Sequence, residues 1–115
     1  MKVIIAGGRK FDNYKLLVSK CDKALSVVPH VEIVSGGAIG ADNLGQVYAI
    51  EKGYDIKVFP ADWLKYGKRA GPIRNEEMAK YADALIAFWD GESKGTKSMI
   101  DLAEKYRLKI KVIKY

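Results

Sequence analysis

Three clusters of small and basic residues each follow an apolar run. They are Gly7-Gly8-Arg9-Lys10-Phe11, Ser35-Gly36-Gly37-Ala38-Ile39-Gly40-Ala41-Asp42 and Asp90-Gly91-Glu92-Ser93-Lys94-Gly95-Thr96. A glycine-rich turn between a strand and a helix exposes backbone N–H groups at the positive end of the helix dipole, as a phosphate or carboxylate ligand requires. Arg9, Lys10, Lys68, Arg69, Arg74 and Lys94 add positive charge, while Ser35, Ser93 and Thr96 add hydroxyl donors. Phe11, Trp63, Tyr66 and Trp89 add flat faces on which a base can stack. Phosphate-binding turns combined with aromatics describe a nucleotide site better than a sugar or metal site.

Arg74 is the most informative charge. It falls in the first turn of a helix expected to begin at Pro72, where the dipole disfavours a cation and favours acids such as Glu76 and Glu77. A cation there has an anion to meet, either a ligand or one of those glutamates on the surface. Asp42 stays open between two roles: a carboxylate at a helix start can satisfy free N–H groups or accept hydrogen bonds from a ribose. His30 lies in a connecting loop with no serine or cysteine beside it, and Cys21 falls on the inner face of a helix with Leu17 and Leu25. Neither reads as a nucleophile or a relay. Gly-x-Gly-x-x-Gly does not follow the first apolar run and Gly-x-x-x-x-Gly-Lys-Thr is absent, which disfavours ordinary NAD dehydrogenases and P-loop NTPases.

The elements that must position these residues are legible in the apolar runs and their punctuation. Strands are expected over residues 2–6, 31–35, 55–59 and 84–89 and from Lys109, with helices between them. Asn13 caps the first helix, which runs to about Val28 before Pro29. The second, from Ala41, stops at Gly53. Pro72 opens the third, and the fourth follows Thr96 and runs to about Arg107. The connection from Pro60 to Gly71 is long for a small domain, and such connections tend to be functional. Alternating strands and helices predict an α/β fold with a parallel sheet covered on both faces and all strand-to-helix turns on one edge. If the long connection crosses over, the strand order is 3-2-1-4-5 and the Gly8-Arg9 turn lies beside the Trp89-to-Thr96 turn at the switch point.

The 115 residues make one expected domain, 1–115. The net charge of +6 favours anionic partners without separating a nucleotide from a nucleic acid. Lys109, Lys111 and Lys114 alternate along the last strand as an edge guard would. No apolar run is long enough to span a bilayer and the start lacks a signal sequence, so the expected location is cytoplasmic with no membrane partner.

Read together and in order, the first two turns and Gly95-Thr96 of the third resemble the YspA-like branch of the SLOG superfamily, as do Phe59-Pro60-Ala61-Asp62-Trp63 and Ala70-Gly71-Pro72-Ile73-Arg74-Asn75-Glu76-Glu77-Met78. That superfamily includes DprA, the LOG phosphoribohydrolases and molybdenum-cofactor carriers. The resemblance implies a Rossmann-like three-layer fold with a pocket for a nucleotide or a molecule derived from ADP-ribose or NAD. It requires no cofactor and implies a homodimer or higher homo-oligomer. Arg74 resembles the LOG arginine, but the place of the LOG catalytic glutamate is held by Met99, which cannot exchange a proton.

The expected function is therefore binding, as a sensor, carrier or sequestering protein, with enzymatic activity left open and disfavoured. The expected contacts are Gly8, Arg9, Phe11, Ser35, Gly36, Gly37, Gly40, Asp42, Trp63, Arg74, Asn75, Trp89, Gly95 and Thr96, with no metal. The alternative is a nucleotide N-glycosidase using Arg74 with Asp42, Glu92 or Asp101. Single-stranded DNA binding in the manner of DprA ranks third, and nucleic acid is the disfavoured partner because the basic residues are spread along the chain.

Overall fold

Val3, Ile4 and Ile5 are all fully buried, so the first strand must be covered on both faces. In the computed structural model, which describes residues 1–115, that strand, β1 (Lys2–Gly7), is the middle of five. The others are β2 (Glu32–Ser35), β3 (Asp55–Val58), β4 (Ala84–Trp89) and β5 (Lys109–Lys114). All pairings are parallel and the order is β3-β2-β1-β4-β5, the expected 3-2-1-4-5.

Alternation along the strands divides the core into two layers. Val3, Ile5, Ile33, Ile86 and Phe88 point to one face, where α1 (Tyr14–Leu25) and α2 (Ala41–Lys52) cover them with Leu17, Cys21, Leu25, Tyr48 and Ala49. Ile4, Ala6, Val34, Leu85 and Ala87 point to the other, where α4 (Ala70–Tyr81) and α5 (Lys94–Lys105) supply Met78, Ala79, Met99, Ile100 and Ala103. Burial pushes the Cys21 thiol up to about 12, so it is inert core at neutral pH. No helix is long and apolar enough to cross a membrane.

Asn13 caps α1 through a hydrogen bond from the Leu16 N–H at 3.0 Å, but the helix ends at Leu25 rather than Val28. Pro29 disfavours helical backbone at Val28, and Val27 is exposed with nothing to pack against. The connection after β3 is mostly helical. Asp62 caps a one-turn helix, α3 (Trp63–Tyr66), by accepting from the Lys65 N–H at 3.1 Å, and a 3-10 turn spans Gly67–Arg69. Helix α4 then starts at Ala70, which puts Pro72 third. Proline is tolerated there because first-turn N–H groups have no partner within the helix. Helix α5 starts before Thr96, at Lys94, because Ser93 caps it by accepting from the Thr96 N–H at 3.3 Å.

Helix α2 lies close on β1 because Gly45 has no side chain. A Cβ there would stand 2.8 Å from Ile5 Cγ2 and 2.9 Å from Ile5 Cβ, on a rigid, fully buried neighbour. Alanine favours a helix by about 1 kcal/mol over glycine, whereas overpacking costs about 1–3 kcal/mol. Gly45→Ala is therefore expected to lower the unfolding free energy by up to about 2 kcal/mol, seen as a lower denaturant midpoint with an unchanged slope.

Candidate functional site

Parallel strands joined by helices bring the ends of β1, β2, β3, β4 and β5 to one edge, where they form a cleft of about 1090 Å³. It is lined by the β1 turn (Gly8, Arg9, Lys10), the β2 turn (Gly36, Gly37, Ala38, Ile39, Asp42), Trp63 and the start of α4 (Gly71, Arg74, Asn75). The start of α5 (Lys94, Gly95, Thr96) completes it, with Tyr115 beyond β5. Gly40 joins the β1 and β2 turns. Its φ of 85° is left-handed, a Cβ would overlap the Gly8 and Arg9 carbonyls, and the Ala41 N–H donates to Gly8 O at 3.3 Å.

The glycine turn after β2 is already occupied by the chain's own groups. Asp42 is 6% exposed, and its Oδ2 accepts the Ala38 N–H at 3.4 Å. Burial pushes its carboxyl up to about 6, against the lowering effects of the Ala38 N–H, the Arg74 guanidinium and the Gly7 and Gly36 N–H groups. Ser35 is fully buried, and its hydroxyl accepts from Gly37 N–H at 3.1 Å and from Gln46 Nε2 at 3.0 Å. So the turn does not present free N–H groups at Gly37 and Ala38. Ser35 braces the turn from beneath instead of reaching a ligand.

Arg74 is the fifth residue of α4 rather than in its first turn, because the helix starts two residues before Pro72. It pairs with neither neighbouring glutamate, and Glu76 is taken by Tyr106 Oη at 3.0 Å and Lys105 Nζ at 3.4 Å. Instead, Arg74 Nη1 donates to the Gly36 carbonyl and Nε to Asn75 Oδ1 at 2.9 Å. These two bonds fix the guanidinium at the wall of the cleft, with Nη2 left for an acceptor inside it. At the start of α5, Ser93 Oγ takes the Thr96 N–H and Ser93 O takes the Lys97 N–H at 3.1 Å. The N–H groups of Lys94 and Gly95 remain for an external acceptor, and nothing stands within 4 Å of a Cβ at Gly95.

The cleft gathers Gly8, Arg9, Gly36, Gly37, Asp42, Trp63, Arg74, Asn75, Gly95 and Thr96 from the expected contacts. Four others stand outside it. Phe11, 3% exposed, is core, packed between Phe88 and Tyr115 with ring centroids 4.8 Å away in each case. Ser35 lies beneath the β2 turn and Gly40 between two turns. Trp89 turns away, with its Nε1 donating to Ser93 O at 3.1 Å and Lys114 Nζ lying 4.8 Å over its ring. Among the proposed acids, Glu92 and Asp101 line a separate shallow depression beside α5, and Asp101 is paired with Lys97 at 2.6 Å. Only Asp42 and Arg74 of that set face the cleft. Met99 is buried and helps form the floor.

Tyr115 was not anticipated. Its hydroxyl lies against Gly8 and the residue is 45% exposed. The rule that places every strand end on one edge applies to the residue after β5 too, and would have found it. No group of three or more His, Cys, Asp or Glu could hold a metal.

Asp42 binds its proton more tightly folded than unfolded, so its ionisation opposes folding. The cost is absent below pH 4, grows as pH rises to about 6 and is complete above it. It amounts to about 3 kcal/mol at neutral pH. Asp42→Asn removes this dependence. The stability of the variant relative to the parent is expected to be greater at pH 7.5 than at pH 4.5 by about 2 kcal/mol, because about 1 kcal/mol of the cost is already present at pH 4.5, as measured by urea unfolding at both pH values.

A family model described as YAcAr, the YspA and cpYpsA-related SLOG family, matches residues 1–66. The chain is 32% identical over 111 residues to the Gene 61 protein of Mycobacterium phage D29, covering 90% of this chain and 89% of that protein. Its fold matches that of DNA processing protein A from Helicobacter pylori, described for its single-stranded DNA binding mode, with a TM-score of 0.70 and 23% identity. The match covers 97% of this chain and 64% of that one, so the chain spans under two thirds of that relative. This likeness corrects one expectation: sharing a fold with a single-stranded DNA-binding protein removes the ground for disfavouring nucleic acid as a partner. With its five-stranded 3-2-1-4-5 sheet and its family match, the chain belongs to the YspA and cpYpsA-related SLOG family.

Proposed function

We propose that this chain binds a phosphorylated nucleoside in the carboxyl-edge cleft, as a sensor, carrier or sequestering protein. The observation that carries the reading is the convergence there of the donors the protein does not use on itself. These are Arg74 Nη2, the Lys94 and Gly95 N–H groups, and the Arg9 and Lys10 side chains. A phosphate at this point meets a fixed guanidinium and a helix N-terminus together. Trp63, 54% exposed on the rim, offers a face for the base. The ligand in this reading is a nucleotide or a molecule derived from ADP-ribose or NAD.

Single-stranded nucleic acid is a second reading. It is supported by the net charge of +6 and by the fold likeness to DNA processing protein A. An enzymatic reading rests on Asp42, whose raised carboxyl faces the same cleft as Arg74 and is partly protonated near pH 6.

Thermal unfolding with adenosine monophosphate, ADP-ribose, NAD and an oligodeoxynucleotide tests these readings. A nucleotide at a hundredfold excess over its Kd is expected to stabilise the fold by about 2.7 kcal/mol. Arg74→Ala is expected to weaken that binding about tenfold to a hundredfold. Arg74→Lys rescues it only partly, because an ammonium cannot hold the Gly36 carbonyl and a phosphate in one plane. Binding confined to the oligonucleotide and falling steeply with salt would favour the second reading. Release of free base, lost in Asp42→Asn, would favour the enzymatic one. Stabilisation by none of these probes would remove the proposal.

A further inference from the structure

Two aromatic side chains face the cleft from opposite ends of the sheet. Trp63 belongs to the segment after β3, at one edge, and Tyr115 to the residue after β5, at the other. The strands that carry them are four inter-strand spacings apart, about 19 Å. Trp63 sits on a capped helical turn above Gly71, where a Cβ would meet its Cη2 at 3.7 Å. Tyr115 is braced edge-on by Phe11 at 4.8 Å and 66°. Both residues are about half exposed. Tyr115 leans back over the β1 turn, where its hydroxyl lies against Gly8, and Arg9, Lys10, Arg74 and the start of α5, the groups proposed to hold phosphate, line the same cleft.

A mononucleotide has one base and can cover only one of these rings. The cleft volume of about 1090 Å³ is also at the upper end for small-molecule sites, which run to about 1,000 Å³. We infer that the cleft is built for a ligand with two bases bridged by phosphate, one base stacked on Trp63 and the other on Tyr115. This rests on the nucleotide-binding reading above and specifies its ligand class. Two sources share that chemistry, a free dinucleotide and a step of single-stranded nucleic acid.

The test titrates the full chain with adenosine monophosphate, diadenosine pyrophosphate, a phosphodiester-linked adenosine dinucleotide and a long oligodeoxyadenylate, with calorimetry as the readout. Adenine probes suffice because stacking tolerates any base. A second stacked base is expected to tighten binding about fivefold to a hundredfold over the monophosphate. Trp63→Ala or Tyr115→Ala is expected to abolish that gain, while Trp63→Phe and Tyr115→Phe keep most of it. Trp63→Ala is expected to leave the unfolding midpoint unchanged, whereas Tyr115→Ala uncovers Phe11 and lowers it. A single cooperative transition above the assay temperature shows that the fold is intact in each variant. Tightest binding of a dinucleotide identifies a small molecule, and tightest binding of the oligodeoxyadenylate identifies a nucleic-acid strand. Equal affinity for the monophosphate and every two-base probe, with Arg74 still required, overturns this inference and leaves nucleotide binding standing. Binding of none of the probes overturns both.

Discussion

A carboxylate folded back into its own glycine turn governs the cleft. Asp42 takes N–H groups that such a turn would otherwise offer to a ligand, and its charge is balanced by Arg74 across Gly36. Burying a carboxylate is unfavourable unless hydrogen bonds and a cation compensate, and here they do so only in part, because the group remains harder to ionise than in water. The β2 turn is thereby held in one shape. The donors the protein leaves unused lie instead at the β1 turn and the start of α5.

The same arrangement gives Arg74 two tasks. It ties α4 to the β2 turn through the Gly36 carbonyl, bridging the long connection to the edge of the sheet. It also keeps donors in the cleft. A guanidinium can do both because its donors lie in a fixed plane and point in several directions. Chain closeness at Gly40 matters equally, since the β1 turn rests directly on the β2 turn there. Three layers of packing thus end in three interlocked loops, and the cleft is the space they cannot fill.

Met99 shows how the core and the site share residues. The position that the LOG resemblance gives to a glutamate is part of the packing between α5 and the sheet and also part of the floor of the cleft. An apolar floor beneath basic walls suits retention of an organic anion, and proton transfer from that position is chemically closed. Asp42 is the buried titratable group that faces the ligand space.

Strand order, the two-faced core and the edge that carries the cleft were all determined by the sequence alone. They depend on local periodicity and on the handedness of strand–helix–strand units, which act on every residue of an element at once. The placement of Arg9, Arg74 and Gly95 at that edge followed from the same rule. The partner of each polar group was decided only by tertiary structure. Phe11, Ser35, Gly40 and Trp89 have the composition of contacts, yet they are used to pack or brace the turns. Glu92 and Asp101 are near the site in sequence but lie in a different depression. Helix α4 begins two residues before Pro72, running straight on from the 3-10 turn with no side-chain cap, and α5 begins at Lys94, before Thr96, because Ser93 caps it. The bond from Arg74 to Gly36 joins residues far apart in the chain, and even the local bonds of Ser35 and Trp89 are chosen among competing partners only when the whole sheet edge has assembled.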